Sequence, residues 1–183
     1  MRRNRGIHIA MAVSLAVVAA CSDGGDEEAS GGTNVQCVED SQMDVYSEGV
    51  VHTDAPGYKG PLGNPPQYAV NPPSGGDHLA GASAPGVYAG LNIVPDGNLV
   101  HSLEHGYVIL WYRSDAPLPE VTLVRDMGQK YNRDVLVVER ADMPSPVAAT
   151  AWKQRLLCDH ADAERLGEFI EKARNKAPEK VPH

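Results

Sequence analysis

The sequence predicts a single α+β domain in which a small mixed β-sheet packs against two main helices and a short helix that carries histidines. Three observations lead to this prediction. Segment 107–138 has the pattern strand, helix, strand; segment 161–177 is amphipathic; and proline and glycine make up 17 of the 45 residues from 53 to 97. The N-terminal third is therefore expected to be irregular, with the regular elements in the rest of the chain.

The middle of the chain predicts a parallel crossover. Segment 107–112 is a continuous apolar run of strand length, as in a strand covered on both faces. From Pro119 to residue 132, apolar residues fall near helical spacing, and 135–138 is a second short apolar run. Strand, helix and strand in this order predict two parallel strands joined by a right-handed connection.

The C-terminal part predicts one more strand and one more helix. Segment 147–152 has strand character that extends towards Leu157, and segment 161–177 has helical periodicity ended by Pro178. The residues expected to face inward from this helix are Leu166, Phe169, Ile170 and Ala173.

The N-terminus predicts export. Arginines at positions 2, 3 and 5 precede an apolar run over 7–20 that is too short to span a bilayer but has the length of a signal peptide. The run ends in Val-Ala-Ala followed by Cys21, which resembles the lipobox of bacterial lipoproteins. We therefore expect residues 1–20 to be removed, Cys21 to be acylated, 21–34 to form an acidic Gly/Ser tether, and 35–183 to fold as one domain. The protein is expected on the periplasmic or extracellular face of a bacterial membrane.

The net charge of the chain limits which classes of molecule it is expected to bind. The formal net charge is −8, and it falls to −11 once the three arginines leave with the signal peptide. An acidic surface argues against binding to nucleic acid and against electrostatic docking to anionic lipid. Contact with the membrane is therefore expected through the lipid on Cys21.

Two cysteines remain for the folded domain. With Cys21 used for lipid, Cys37 and Cys158 are expected to form one disulfide in an oxidising compartment. A cysteine-based metal or redox site is a weaker interpretation, because the chain has no Cys-x-x-Cys motif.

The sequence His-Ser-Leu-Glu-His-Gly at 101–106 is the strongest candidate for chemistry. On a helix, residues four apart share one face, whereas on a strand they lie about 13 Å apart. Asp96 and Asn98 offer two possible N-caps, and Gly106 suits the position after the last helical residue. A short helix is therefore expected to present His101 and His105 to the same metal ion.

A third imidazole is expected from a loop. The segment Pro-Pro-Ser-Gly-Gly-Asp at 72–77 stiffens and then turns the chain just before His78. His78, His101 and His105 would form a three-histidine site for copper or zinc with one open position, suited to metal handling and to exchange with a partner protein. Glu104 is expected either to orient a ligand histidine or to be a surface charge on the helix. The remaining candidates are expected to be ordinary surface residues: His52, His160 and His183.

The same motifs resemble a family. The chain is similar to DUF3105, a bacterial family of unknown function, over about residues 43–179. The motifs that carry the resemblance are 72–78, 86–88, 100–108, 149–152 and 178–179. The resemblance implies an exported or membrane-anchored protein, and it implies that the three histidines form a shared site.

The chain departs from the family pattern in two places. Ser-Gly-Gly-Asp replaces Thr-Ser-Gly-Pro before His78, and the upstream histidine of other members is absent near Met43. If that histidine is a ligand elsewhere, Met43 in its place would favour copper(I).

Two other functions remain open. His-x-x-Glu-His also has the letters of a zinc peptidase motif, with Glu104 as general base and a third ligand from Glu164, Glu168 or Glu171. Against this, Gly106 and the following strand leave room for only two helical turns. The third interpretation is a protein-interaction lipoprotein in which the histidines bond to backbone carbonyls and stabilise turns. In that case its contacts would come from Tyr46, Tyr58, Tyr68, Tyr88 and Tyr107.

Overall fold

The computed structural model describes residues 36–41 and 68–179, which belong to one compact unit spanning Gly32–His183. The elements are β1 (Cys37–Ser41), β2 (Gly86–Tyr88), α1 (Asp96–Glu104), β3 (Val108–Arg113), α2 (Leu118–Lys130), β4 (Val135–Arg140), β5 (Val147–Ala151), β6 (Gln154–Cys158) and α3 (Ala163–Ala173). The expected signal peptide, the tether, Cys21, Met43, His52 and His183 lie outside the described residues.

The strands form one mixed sheet in the order β1-β6-β5-β3-β4-β2. β3 pairs in parallel with β4, and β4 pairs in parallel with β2, whereas β5, β6 and β1 add antiparallel pairs on the other side of β3. The predicted α+β class and the parallel pairing across α2 are therefore confirmed. β3 lies inside the sheet, as its continuous apolar sequence predicted.

The side chains of β3 divide the core into two parts. Alternate residues along a strand point to opposite faces. Val108 and Leu110 pack with residues of α2 and α3, whereas Ile109 and Trp111 pack against α1 from the opposite face. The histidine-bearing helix is thus held on one face of the sheet, and the two longer helices cover the other.

Two boundaries differ from the sequence prediction. The expected single strand from 147 towards Leu157 is a hairpin of β5 and β6, because the chain reverses at Trp152 and Lys153, where Lys153 has φ of 58°. Helix α3 ends at Ala173 rather than near Pro178. Its buried residues are the ones predicted, Leu166, Phe169, Ile170 and Ala173.

The ends of α1 confirm one prediction and correct another. Neither Asp96 nor Asn98 caps the helix: the N-cap is Pro95, which makes no side-chain capping bond, and Asp96 instead pairs with Arg140 at 2.8 Å. At the other end Gly106 has φ of 89° and follows the C-cap, as predicted. A glycine is required there because that backbone conformation strains other residues.

The Cys37–Cys158 disulfide is present and joins the edge strand β1 to β6. The bridge closes a chain separation of 121 residues, so it connects the start of the described domain to its last strand. In the part of the chain that the structure describes, no helix is both long enough and apolar enough to cross a membrane.

The proline-rich segment before His78 is held by the hairpin. The backbone carbonyl of Ser74 accepts a bond from the Lys153 amide at 2.6 Å, and the carbonyl of Asn71 accepts one from Arg155 at 3.0 Å. The Asn71 side chain also accepts a bond from Arg140 at 2.6 Å. An irregular segment thus obtains a defined conformation from regular strands that lie far away in the sequence.

Candidate metal centre

Three segments of the chain meet at the C-terminal end of α1. The first is the loop 72–83, the second is α1 itself, and the third is segment 174–179, which follows α3. Each contributes at least one imidazole or carboxylate: His78 from the loop, His101, Glu104 and His105 from the end of α1, and Glu179 from the C-terminal segment.

The loop lies along α1 because backbone and hydroxyl groups join them. The Leu79 amide donates to the carbonyl of Gly97 at 3.2 Å. The Ser102 hydroxyl accepts a bond from the Ser83 amide at 2.8 Å. A Cβ atom at Gly97 would lie 2.6 Å from Cγ of Leu79, so this approach depends on the absence of a side chain there.

His78 is fully buried and has a defined tautomer. Its Nδ1 lies 2.9 Å from the carbonyl oxygen of Gly76. A carbonyl oxygen can only accept, so Nδ1 carries the proton and the lone pair of the neutral ring is on Nε2. That Nε2 lies 2.9 Å from Oε2 of Glu104, a side chain that is 11% exposed.

The tautomer of His101 is fixed in the same way, by a backbone carbonyl. Its Nδ1 lies 2.7 Å from the carbonyl oxygen of Leu79, so its lone pair is also on Nε2. That atom lies 2.8 Å from Nε2 of His105, which must then act as the donor. His101 also contacts the other two rings, with centroid distances of 4.8 Å to His78 and 4.7 Å to His105.

The contact between His78 and Glu104 requires a positive charge between its atoms. Both Nε2 of the neutral ring and Oε2 of the carboxylate are acceptors, and at 2.9 Å their lone pairs repel each other. Buried acceptors are stabilised when a proton or a metal cation lies between them. The pair is therefore suited to exchange a proton for a metal ion.

The C-terminal segment brings Glu179 to the outer side of the helix end. The Asn175 amide donates to the carbonyl of Gly106 at 2.8 Å, and the Glu179 amide donates to the carbonyl of Glu104 at 3.1 Å. These bonds place Oε2 of Glu179 at 3.7 Å from Nε2 of His105.

Arg174 anchors the start of that segment. It donates to Asp134 at 2.8 Å, and this bond is the main reason why the pKa of Arg174 is raised above its ordinary value. The segment that carries Glu179 is therefore attached to the body of the domain at both ends.

The three predicted histidines are brought together, although not as one three-histidine group. Among the described residues, two groups have all of their donor atoms within 4.8 Å of one another, and each contains two histidines and one glutamate. The inner group is His78, His101 and Glu104; the outer group is His101, His105 and Glu179. His101 belongs to both.

The distances can be compared with those of a bound ion. Ligand atoms at tetrahedral angles around zinc lie about 3.3 Å apart, since each is about 2.0 to 2.1 Å from the metal. The 2.9 Å between His78 and Glu104 would have to widen slightly, whereas the 3.7 Å between His105 and Glu179 is already wide enough. Since the donor atoms of each group lie within 4.8 Å of one another, each group could hold a first-row transition metal once its side chains move to bonding distance.

Glu104 is not a surface charge, because its side chain is mostly buried against His78. His160 is exposed, as predicted, with 52% of its side chain accessible. Neither donor group among the described residues contains Glu164, Glu168 or Glu171. Glu168 pairs with Arg165, and Glu171 pairs with Arg174.

Two neighbours of the histidines were not identified from the sequence. Glu179 belongs to the Pro-Glu pair at 178–179, one of the motifs that carried the family resemblance. Nothing in that pair indicated a contact with His105. Trp152 lies with its ring edge-on to His78, with 6.1 Å between ring centroids, because the hairpin turn packs on the loop. No local pattern predicts either contact.

Two tyrosines of the interaction interpretation, Tyr68 and Tyr88, bond within their own segments. The hydroxyl of Tyr68 donates to the carbonyl of Asp77 at 2.9 Å, and that of Tyr88 donates to Ala84 at 2.7 Å. These two side chains therefore help to order the irregular region around the site.

Comparison with family models identifies the family of this chain. The chain matches DUF3105, described as a protein of unknown function, over residues 62–183. It belongs to the DUF3105 family. The matched region contains every donor of both groups, so the candidate centre lies within the part of the chain that defines this DUF3105 protein. Comparison with curated proteins and with solved structures found no match.

Proposed function

We propose that this DUF3105 protein is an exported, lipid-anchored protein that binds one zinc or copper ion at the histidine centre and takes part in metal handling. One observation carries the proposal. The Nδ1 atoms of His78 and His101 both donate to backbone carbonyls, so Nε2 is the atom of each ring that can bind a metal, and donor atoms of these two rings and of Glu104 lie within 4.8 Å of one another.

The interaction interpretation accounts for only half of this geometry. It explains the bonds from the histidines to the carbonyls of Gly76 and Leu79, which do stabilise the loop. It gives no reason for two imidazole nitrogens and the Glu104 carboxylate to converge within 4.8 Å of one another in a buried place. The contact between His78 and Glu104 can hold either a shared proton or a metal ion. A metal function explains both why Nδ1 of each ring donates to a carbonyl and why Nε2 lies among other donor atoms.

The donor types favour zinc(II) or copper(II). Two imidazole nitrogens and one carboxylate oxygen are borderline to hard ligands, and calcium and magnesium prefer a set made of oxygen atoms. A carboxylate also disfavours copper(I), which prefers sulfur ligands. Met43 lies outside the described residues, so the copper(I) variant has no support from the described donors.

Metal handling fits the centre better than hydrolysis. In a peptidase of this type the glutamate between the two histidines must remain available as general base. Here Glu104 belongs to the buried donor group, and α1 has nine residues instead of the long helix of that class. Each donor group has three protein ligands, so a four-coordinate ion keeps one open coordination site for a ligand from a partner protein.

Export and anchoring are supported by the sequence. The arginine-rich start, the apolar run at 7–20 and Cys21 form one continuous lipoprotein pattern. The Cys37–Cys158 disulfide is consistent with an oxidising compartment.

Metal titration of the purified protein tests the proposal. We expect binding of one zinc or copper(II) ion per chain by calorimetry, and nitrogen ligation in the paramagnetic resonance spectrum of the copper form. His101→Ala should weaken affinity by more than about 100-fold, since it removes a donor shared by both groups. His160→Ala is the matched control, because this exposed histidine lies outside both groups. Failure of the wild-type protein to bind either metal would refute the proposed function.

A further inference from the structure

We propose that the two donor groups are successive positions for one metal ion, which binds first at the outer group and then moves to the inner group while His101 stays bound. This inference rests on the proposed function and adds a loading route to it. The outer group is His101, His105 and Glu179, and the inner group is His78, His101 and Glu104.

The shared ring makes the two positions mutually exclusive. Nδ1 of His101 donates to the carbonyl of Leu79, so Nε2 is the atom of this ring that can bind metal. One lone pair coordinates one ion. A protein with two independent positions would bind two ions, whereas this arrangement allows one at a time.

Exposure sets the order in which the ion meets the donors. The side chains of Glu179 and His105 are 54% and 24% exposed, whereas those of Glu104 and His78 are 11% and 0% exposed. An ion arriving from solvent therefore reaches the outer donors first. The inner donors are more buried, and they lie next to His101, which the outer group shares.

The outer carboxylate is positioned by the backbone of its segment. The Glu179 amide is bonded to the carbonyl of Glu104, the residue whose side chain belongs to the inner group. The Asn175 amide is bonded to Gly106, and a Cβ at Gly106 would lie 3.0 Å from Cα of Asn175. The C-terminal segment and the end of α1 thus form one unit that holds both carboxylates beside His101.

The transfer conserves charge and protons. Each group has two imidazoles and one carboxylate, so the ion keeps the same formal ligand charge when it exchanges His105 and Glu179 for His78 and Glu104. Bonds to the outer donors break as bonds to the inner donors form. The proton between His78 and Glu104 is released, and Nε2 of His105 takes one up and can donate it to Glu179. No electron is transferred.

Rapid mixing of the purified protein with copper(II) tests the route. Trp152 lies beside His78, so quenching of its fluorescence by copper(II) follows arrival at the inner group, and Trp152→Phe shows which part of the signal comes from this residue. We expect Glu179→Gln to slow both association and dissociation by about tenfold and to leave the dissociation constant unchanged. Glu104→Gln should instead weaken the equilibrium affinity, mainly through faster dissociation.

Glu168→Gln is the matched control, because it removes the same charge from an equally exposed glutamate that pairs with Arg165. Unchanged rates in Glu179→Gln, or a slowing shared by the control, would overturn the loading route while leaving the proposed function intact. A weaker equilibrium affinity in Glu179→Gln, or two copper ions per wild-type chain, would also overturn it. Absence of copper and zinc binding in the wild type would refute the proposed function itself.

Discussion

At the scale of single residues, the property that matters most is which ring nitrogen carries the proton. Gly76 and Leu79 supply carbonyl oxygens that accept from Nδ1 of His78 and His101. Two backbone groups thereby fix the tautomers, and Nε2 of His78 lies against Glu104 while Nε2 of His101 lies against His105. Such outer contacts are usually needed for full metal affinity, because they orient the ring and raise its basicity.

Glu104→Gln separates a metal-binding role from a structural one. The amide of glutamine can donate to the Nε2 lone pair of His78, so we expect the melting temperature of the metal-free protein to stay the same or rise. Zinc affinity should fall by at least about tenfold because an amide is a poorer ligand than a carboxylate. Thermal unfolding with and without zinc measures both effects.

The matched substitution Glu168→Gln should change neither quantity. If Glu104→Gln strongly destabilised the metal-free protein while preserving zinc affinity, Glu104 would be a structural partner of His78 rather than a ligand.

At the scale of elements, the centre depends on how closely the loop approaches α1. Gly97 lies in the first turn of the helix, where the Leu79 side chain and amide lie against its backbone. The carbonyl of the same Leu79 accepts the bond from His101. A contact at the start of the helix is therefore linked to His101, a donor of both groups, one turn later.

Gly97→Ala should test this link. Alanine is normally favoured over glycine in a helix by about 0.5 to 1 kcal/mol. Here the new Cβ would lie 2.6 Å from Leu79, so we expect a net destabilisation of about 1 to 3 kcal/mol together with weaker zinc binding. Denaturant unfolding and zinc titration provide the two measurements.

Gly167→Ala is the corresponding control in α3, where a Cβ would meet only ordinary contacts at 3.6 Å or more. It should stabilise the protein slightly and leave zinc affinity unchanged. Equal behaviour of the two variants would contradict the steric role of Gly97.

At the scale of the whole molecule, the disulfide restricts the unfolded chain. Cys37 and Cys158 are separated by 121 residues, and closing a loop of this length is worth about 4 to 5 kcal/mol in the chain-entropy model. Reduction, or the double change Cys37→Ala and Cys158→Ala, should lower the melting temperature by about 10 °C. Calorimetry measures the shift. Zinc affinity should be retained at low temperature, because neither cysteine belongs to the donor groups.

The attachment to the membrane is a second property of the whole molecule. If Cys21 is acylated, the protein should fractionate with membranes and be released by detergent but not by salt, since an acidic surface adds no electrostatic attachment. Cys21→Ala should yield an unlipidated form. Soluble wild-type protein of unmodified mass would contradict this prediction.

Local patterns were sufficient for much of this fold. The spacing of His101 and His105, followed by Gly106, predicted a short helix with both imidazoles on one face, and the two rings do stack. The apolar run at 107–112 predicted a strand inside the sheet, which is β3, and the two cysteines left in a chain expected to be exported predicted their pairing. These inferences succeed because helical period, glycine conformation and thiol pairing act through nearby atoms or through very few possible partners.

The tertiary structure decided the composition of the donor groups. Glu104 meets His78 because the β5–β6 hairpin holds the proline-rich loop, and Glu179 meets His105 because the C-terminal segment returns to the end of α1. The hairpin itself was read from the sequence as one strand, since its turn at Lys153 carries no glycine or proline signal. Contacts between residues far apart in the chain depend on packing that no local pattern encodes. The sequence therefore predicted three histidines with Glu104 beside one of them, whereas only the fold showed which histidine Glu104 meets and that Glu179 joins the centre.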